Sequence, residues 1–182
     1  MGQTKATVLI FARERLSALG SSALENFRKS LTPEEDKLFF KLLPSSKLPI
    51  EQSTRFFELL VPWLYPGKPL REGLWQIGYD GAGDNMKGIY HVLLKIFTVE
   101  MIIKQTAVIW KTYHDQGRPS VKRLADKEIA FVVEEYPELP LHFRELLNGY
   151  IAGLVDLTGA KNTRVTRDDS NPQAWKWLIH LG

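Results

Sequence analysis

The chain has no cysteine, which removes disulfides, thiol nucleophiles and cysteine-ligated metals together. Histidine is scarce: His91, His114, His142 and His180 are the four, no two stand four apart, and there is no HExxH. A zinc site, which needs three or four convergent ligands, is therefore not expected, and ordinary surface or helix-end histidines are. Charge of one sign is also lacking. Lys and Arg number 24 against 21 Asp and Glu, a formal +3 that is too mild and too dispersed for a nucleic-acid binder. Lys122, Arg123 and Lys127, with Lys161, Arg164 and Arg167, could make a local basic face, and a solvated surface is the expectation for them.

Long apolar runs are missing too. The stretch from Ala6 to Phe11 is interrupted by Arg13, Glu14 and Arg15, too early for a signal-peptide core or a membrane span. Gly2 is followed by Ala6 where the myristoylation pattern wants Ser or Thr. A cytoplasmic protein is the expectation. Serines 45, 46, 53 and 120 lie in no Gly-x-Ser-x-Gly elbow, and Glu134 and Glu135, adjacent at a strand end, point to opposite faces. No catalytic set emerges, so neither enzymatic activity nor a cofactor is expected.

What remains suffices to fold. At 182 residues and 44% hydrophobic content, the chain suits one domain, 1–182, with a real core. Residues 1–116 read as helical and 117–182 as a sheet plus one helix. Thr32-Pro33-Glu34-Glu35 supplies an N-cap, a proline at the first helical position and a capping-box glutamate. Phe56, Leu59, Leu60 and Trp63 form the next apolar stripe, ended at Tyr65-Pro66-Gly67. Thr98 can cap a helix running to Tyr113 that is apolar on more than one side, and hence central. The period then changes to two. Runs 120–124 and 128–133 predict a hairpin, Leu139-Pro140 opens a helix closed by Gly159, and 163–167 with 174–181 predict a final strand pair. The fold class is α+β: an N-terminal helical part, then a four-stranded antiparallel sheet ordered strand-strand-helix-strand-strand.

One stretch invites chemistry: IGYDGAGDNMKG, residues 77–88. It lacks the third glycine of a dinucleotide loop and the Lys-Ser/Thr of a Walker loop, and Asp84 would repel a phosphate. An EF-hand needs twelve residues ending in Glu. A helical count is more informative. Positions 74, 78, 81, 85, 88, 92 and 96 fall on one side of a single helix over 69–96 and hold Leu, Gly, Gly, Asn, Gly, Val and Ile. Helical glycines cost about 1 kcal/mol each relative to Ala, so the bare face must admit something, either another helix or a ligand. Asp80 and Asp84 are expected to point to water. Beside this face the central helices carry aromatics, so the candidate ligand-binding set is Gly78, Tyr79, Gly81, Asn85, Tyr90, Phe97, Trp110, Tyr113 and Tyr150.

The succession VLIFARERLSALG, SLTPEE, LLPSSKLPIE, MKGIYHVLLKIF, WKTYHDQG and GYIAGLVDLTGAKNTRV resembles small proteins of myxobacteria and related deltaproteobacteria, most without assigned function. These look like the superfamily that joins the four-vinyl-reductase ligand-binding domain, the haem nitric-oxide-binding domain and the TRAPP vesicle-tethering subunits. The resemblance spans nearly the whole chain and implies a ligand site between the helical part and the sheet. It places Gly149 and Gly153 where the last helix crosses the sheet, and Gly159-Ala160-Lys161-Asn162 at the turn into the third strand.

Haem-binding members carry Tyr-x-Ser-x-Arg after the second strand and an upstream histidine on iron. Here the matching place reads Tyr136-Pro137-Glu138-Leu139-Pro140, and the helix 98–113 has no histidine, His114 lying at its very end. Members that use C-terminal cysteines are no guide, since Asp168 to Trp177 has none. The resemblance therefore implies a ligand-binding, signalling type of domain without haem. Its partner would be a small apolar molecule or another protein. The alternative is an interaction module that dimerises through the glycine-lined helix.

Overall fold

The computed structural model describes residues 2–85 and 97–182. Within them the chain forms seven helices and six strands. Strand β1 (Gln3–Lys5) leads into α1 (Thr7–Ala18), α2 (Ser21–Arg28) and α3 (Pro33–Lys41). Strand β2 (Lys47–Pro49) precedes α4 (Ile50–Leu64), α5 (Leu70–Asn85) and α6 (Val99–Tyr113). The C-terminal part is β3 (Arg118–Ala125), β4 (Glu128–Glu134), α7 (Leu141–Leu157), β5 (Arg164–Asp168) and β6 (Ala174–His180).

Local signals set many of these boundaries. The Thr32 hydroxyl accepts from the Glu35 N–H while the Glu35 carboxylate accepts from the Thr32 N–H, so the capping box at α3 is complete. Thr98 accepts from Met101 N and starts α6 in the same way. At the far end of α7, Gly159 (φ +77°) and Asn162 (φ +56°) take the left-handed conformations that turn the chain into β5. The helix expected over 69–96 is described from Leu70 to Asn85, and its remainder lies outside the described residues.

The C-terminal sheet is antiparallel throughout, in the order β3-β4-β6-β5. Its centre is β4, where Ile129 to Val133 are all buried. Register sets Ile129 beside Ile179, Phe131 beside Trp177 and Val133 beside Trp175. Helix α7 lies against this apolar surface, and the Trp177 indole donates to the carbonyl of Arg144 (3.3 Å). One continuous core joins α1, α3, α4, α5, α6 and α7 to the sheet. Full burial of a Leu, Ile or Phe side chain stabilises by about 1.5–3 kcal/mol, so this shared core is the main force holding the helical part to the sheet.

A second, two-stranded sheet was not foreseen in the sequence. β1 pairs antiparallel with β2, and Thr4 forms a further bridge to His114 at the end of α6. The Asp115 N–H donates to the Gln3 carbonyl (3.3 Å), and the Gln3 N–H donates to the Asp115 carboxylate (2.6 Å). The N-terminal strand thus covers the C-terminal end of α6.

Candidate functional site

The glycine face of α5 meets another helix. A Cβ added at Gly78 would overlap the Leu146 carbonyl of α7, one at Gly149 would overlap the Trp75 carbonyl of α5, and one at Gly153 would stand 2.7 Å from the Tyr79 carbonyl. Gly81 turns to α1, with Val8 Cγ1 2.9 Å from its added Cβ. The two helices interlock backbone to backbone because neither interposes a side chain. Gly149 and Gly153 thus serve the approach to α5, and one expectation is corrected: the face at Gly78 is occupied by the chain's own α7, leaving no seam there for a second copy.

The acidic positions of the same stretch are also engaged. Asp80 is not turned to water: its carboxylate accepts from the Tyr65 hydroxyl (2.6 Å) and the Gln76 amide (3.0 Å), and Arg15 lies 3.9 Å away. Burial first, then the Asp80 carboxylate, push the Tyr65 phenol well above its ordinary range. Asn85 donates to the Tyr150 hydroxyl (3.3 Å). Tyr79 stacks on Trp75 at 5.0 Å and donates to Asp156 (2.6 Å). That hydrogen bond is the main reason its phenol is pushed up to about 12. Tyr79 and Trp75 border a groove of about 270 Å³ beside Asp156 and Arg164, away from the interior space described next.

The interior space lies between the helical part and the sheet. It is a cavity of about 60 Å³ lined by β1 and the start of α1 (Thr4, Lys5, Val8), by Phe57 of α4, by α6 (Thr106, Ile109, Trp110, Tyr113) with His114, by Phe131 of β4, and by α7 from Phe143 to Ile151. Trp110, Tyr113 and Tyr150 of the candidate set line it. Gly78, Tyr79, Gly81, Asn85 and Phe97 do not, and Tyr90 lies outside the described residues. Phe97 is half-buried against the core.

His114 is the residue that the sequence undervalued. It is only 6% exposed, its ring stacks on Trp110 at 4.0 Å, and it stands edge-on to Phe143 at 5.8 Å. Its Nδ1 is buried without a hydrogen-bond partner. Burial holds the imidazole pKa down to about 3, Asp115 opposing and Lys47 reinforcing that effect, so the ring is neutral at physiological pH. The other polar groups nearby are mostly engaged. Thr106 donates to the Ile102 carbonyl (3.0 Å), Trp110 donates to the Gln116 carbonyl (2.8 Å), and Lys5 sits over the Tyr113 ring at 5.6 Å. A hint existed in the sequence, since His114 closes a helix rich in apolar residues; that helix is not central as expected but buries one face, with Met101 and Val108 exposed, and the cover of His114 comes from β1, more than 100 residues away.

Tyr136 is buried, and its hydroxyl has no partner and packs against Gly2. Burial raises its pKa. Arg144 stacks at 3.7 Å over Trp175 and pairs with Asp169 at 2.6 Å. Arg167, expected on a solvated face, instead has a side chain only 7% exposed, paired with both Asp169 (2.8 Å) and Glu145 (3.1 Å). His142 contacts Glu58, and His180 sits between Thr166 and Glu128. Among the described residues no group of three His, Asp or Glu side chains is placed to hold a metal ion, and no helix is long and apolar enough to cross a membrane.

No protein-family model matches the sequence, and no curated protein matches it. Solved structures do. An H-NOX protein from S. oneidensis in the Fe(II)NO ligation state superimposes with a TM-score of 0.66 at 12% identity, over 98% of this chain and 99% of that one. An Fe(II) unliganded H-NOX protein from K. algicida, solved as a point mutant, gives 0.66 at 10% identity over 98% and 96%. An oxygen-binding H-NOX domain related to soluble guanylate cyclases, solved as its oxygen complex, gives 0.61 at 14% over 97% and 94%. At such identities the likeness is one of fold: the chain has the α+β architecture of the H-NOX domains along nearly its whole length.

Proposed function

We propose that this chain is a non-enzymatic sensory or regulatory domain that takes a small apolar molecule into the cavity between its helical part and its sheet, without haem. The observation that carries the reading is the cavity: an apolar space walled by Trp110, Phe131, Phe143 and Ile151, with one unpaired imidazole in its lining. Pockets of this kind, apolar with few placed polar groups, are the usual form of small-molecule sites. The H-NOX proteins above, in nitric-oxide and oxygen-bound states, support a ligand-binding use of the same architecture.

Three features support the haem-free part. The cavity of about 60 Å³ falls short of the roughly 300–1,000 Å³ of pockets for drug-sized ligands, let alone a macrocycle. Tyr136 is spent on packing against Gly2, and the residues after it, Pro137 to Pro140, bring no hydroxyl or guanidinium for propionates. Arg144 is held by Asp169 and Trp175. A neutral histidine could in principle ligate iron, so His114 is the residue through which the haem question is asked. Protein incubated with haemin and desalted is expected to show no Soret band, and a band that disappears on replacing His114 would overturn this part. For the ligand, a thermal-shift screen of small apolar molecules is expected to return compounds that raise Tm; a flat screen together with a bare mass in native mass spectrometry counts against the pocket.

A further inference from the structure

We infer that His114 is the hydrogen-bonding anchor of this cavity, and that the ligand is a small neutral molecule with an apolar body and one polar end. The inference rests on the ligand-binding reading above and names the chemistry of that ligand. It starts from an imbalance in the lining. Every wall residue of α7 from Phe143 to Ile151 apart from Tyr150 is apolar, and the Tyr150 hydroxyl already accepts from Asn85. The hydroxyl of Thr106 and the indole N–H of Trp110 are bonded to carbonyls of their own segment. His114 alone among these carries a buried polar atom, Nδ1, with no partner. Buried polar groups in folded proteins are nearly always paired, and each exception calls for an explanation.

The position of the ring is enforced rather than incidental. Trp110 stacks on one side, Phe143 meets it edge-on, and the Thr4 bridge fixes the backbone. A ring so fixed can aim its nitrogens without losing rotamer entropy when a ligand arrives.

Charge narrows the ligand class. A buried anion or cation needs a counter-charge, the imidazole is neutral, and the single ammonium of the lining, Lys5, is over the Tyr113 ring. A neutral imidazole has one donor and one acceptor nitrogen, so it can bond a hydroxyl, an amide or an azole, whereas a pure hydrocarbon offers the ring nothing to bond. Size narrows it further. An apolar cavity of about 150 Å³ holds benzene, so about 60 Å³ suits a molecule of only a few non-hydrogen atoms.

The test uses two five-membered rings. Pyrazole carries a donor and an acceptor, so it suits either tautomer of His114, and cyclopentane fills the same space with neither. Affinities of both are measured by NMR titration on the wild type, His114→Phe and His114→Gln, with the ring nitrogens of His114 followed by long-range ¹H–¹⁵N correlation. The expected result is that His114→Phe weakens pyrazole about tenfold, the value of one well-made hydrogen bond, leaves cyclopentane within about twofold, and that His114→Gln restores part of the loss. In the wild type, pyrazole is expected to shift a His114 ring nitrogen. If pyrazole binds with no such shift, or if His114→Phe weakens both probes alike, the anchor is overturned while the cavity stands. If neither probe binds the wild type, the ligand-binding reading itself falls. The ring-nitrogen shift needs no variant, so it decides the matter even if a substituted protein does not fold.

Discussion

Helix α7 has two contrasting neighbourhoods. Toward α5 it presents Gly149 and Gly153 and meets Gly78, and the backbones approach so closely that an added Cβ at any of the three meets a carbonyl or a backbone nitrogen. Toward α6 and β1 it presents Phe143, Leu147 and Tyr150 to Trp110, Tyr113 and His114, and there a cavity remains. The smallest residues make the seam without spare volume, and the largest leave a void. Backbones brought together by glycine have simple, matching surfaces, whereas bulky rings held in fixed rotamers tile imperfectly. Space for a ligand on this fold is therefore sought among the aromatics, and the glycines serve cohesion.

The contrast can be broken most forcefully at the seam. Gly149→Ala and Gly78→Ala each drive a Cβ into backbone that has no rotamer to escape into, and overpacking costs about 1–3 kcal/mol, occasionally more. A loss of roughly 3 kcal/mol is expected for each in urea unfolding, and a loss under about 1 kcal/mol would mean that the seam is slack. On the cavity side, Trp110→Phe is expected to cost about 2 kcal/mol, since it deletes buried ring volume and the bond to Gln116. The same change enlarges the void toward the size that admits benzene; a benzene-dependent rise in Tm that is larger in the variant than in the wild type checks this.

Acidity separates the regions further. The folded-state pKa of His114, about 3, lies below the ordinary 6.5. Between those values the unfolded chain binds a proton that the folded chain refuses. The contribution is fully present above pH 6.5 and is lost as pH falls toward 3, at a limiting slope of about 1.4 kcal/mol per pH unit. Unfolding free energies from about pH 7 to about pH 4 are expected to fall less steeply in His114→Phe than in the wild type, and parallel curves would show that His114 titrates normally. The smallest effect is a gain. Gly83 sits on α5 away from both regions, with nothing within 4 Å of an added Cβ. Gly83→Ala should therefore stabilise by about 0.5–1 kcal/mol, in direct contrast to Gly78 five residues earlier on the same helix.

What the sequence disclosed was mostly local. Thr32 with Glu35, and Thr98, announce helix starts through side-chain to backbone bonds within four residues. The continuous apolar run of β4 and the two-residue period of β6 announce strands, and Gly159 announces the end of α7. The fold class could be read from that order.

The site could not be read so far, because its decisive contacts join residues distant in the chain. Gly78 declares an empty face, but only folding brings Leu146 onto it. Asp80 looks solvated until Tyr65 and Gln76 are seen to donate to it. His114 looks like an ordinary helix end until Thr4 is bridged to it, and three-residue strands such as β1 carry too little periodicity to be recognised. Arg167 looks like a surface charge until Glu145 and Asp169 enclose it.

The central claim, that ligand space lies between α6, β1 and α7 and not along the glycine seam, is tested most directly by a crystal structure under xenon pressure. A xenon peak enclosed by Trp110, Phe143 and His114, with none beside Gly78 or Gly149, is the result expected. Xenon at the seam, or a cavity that stays without it, would contradict the claim.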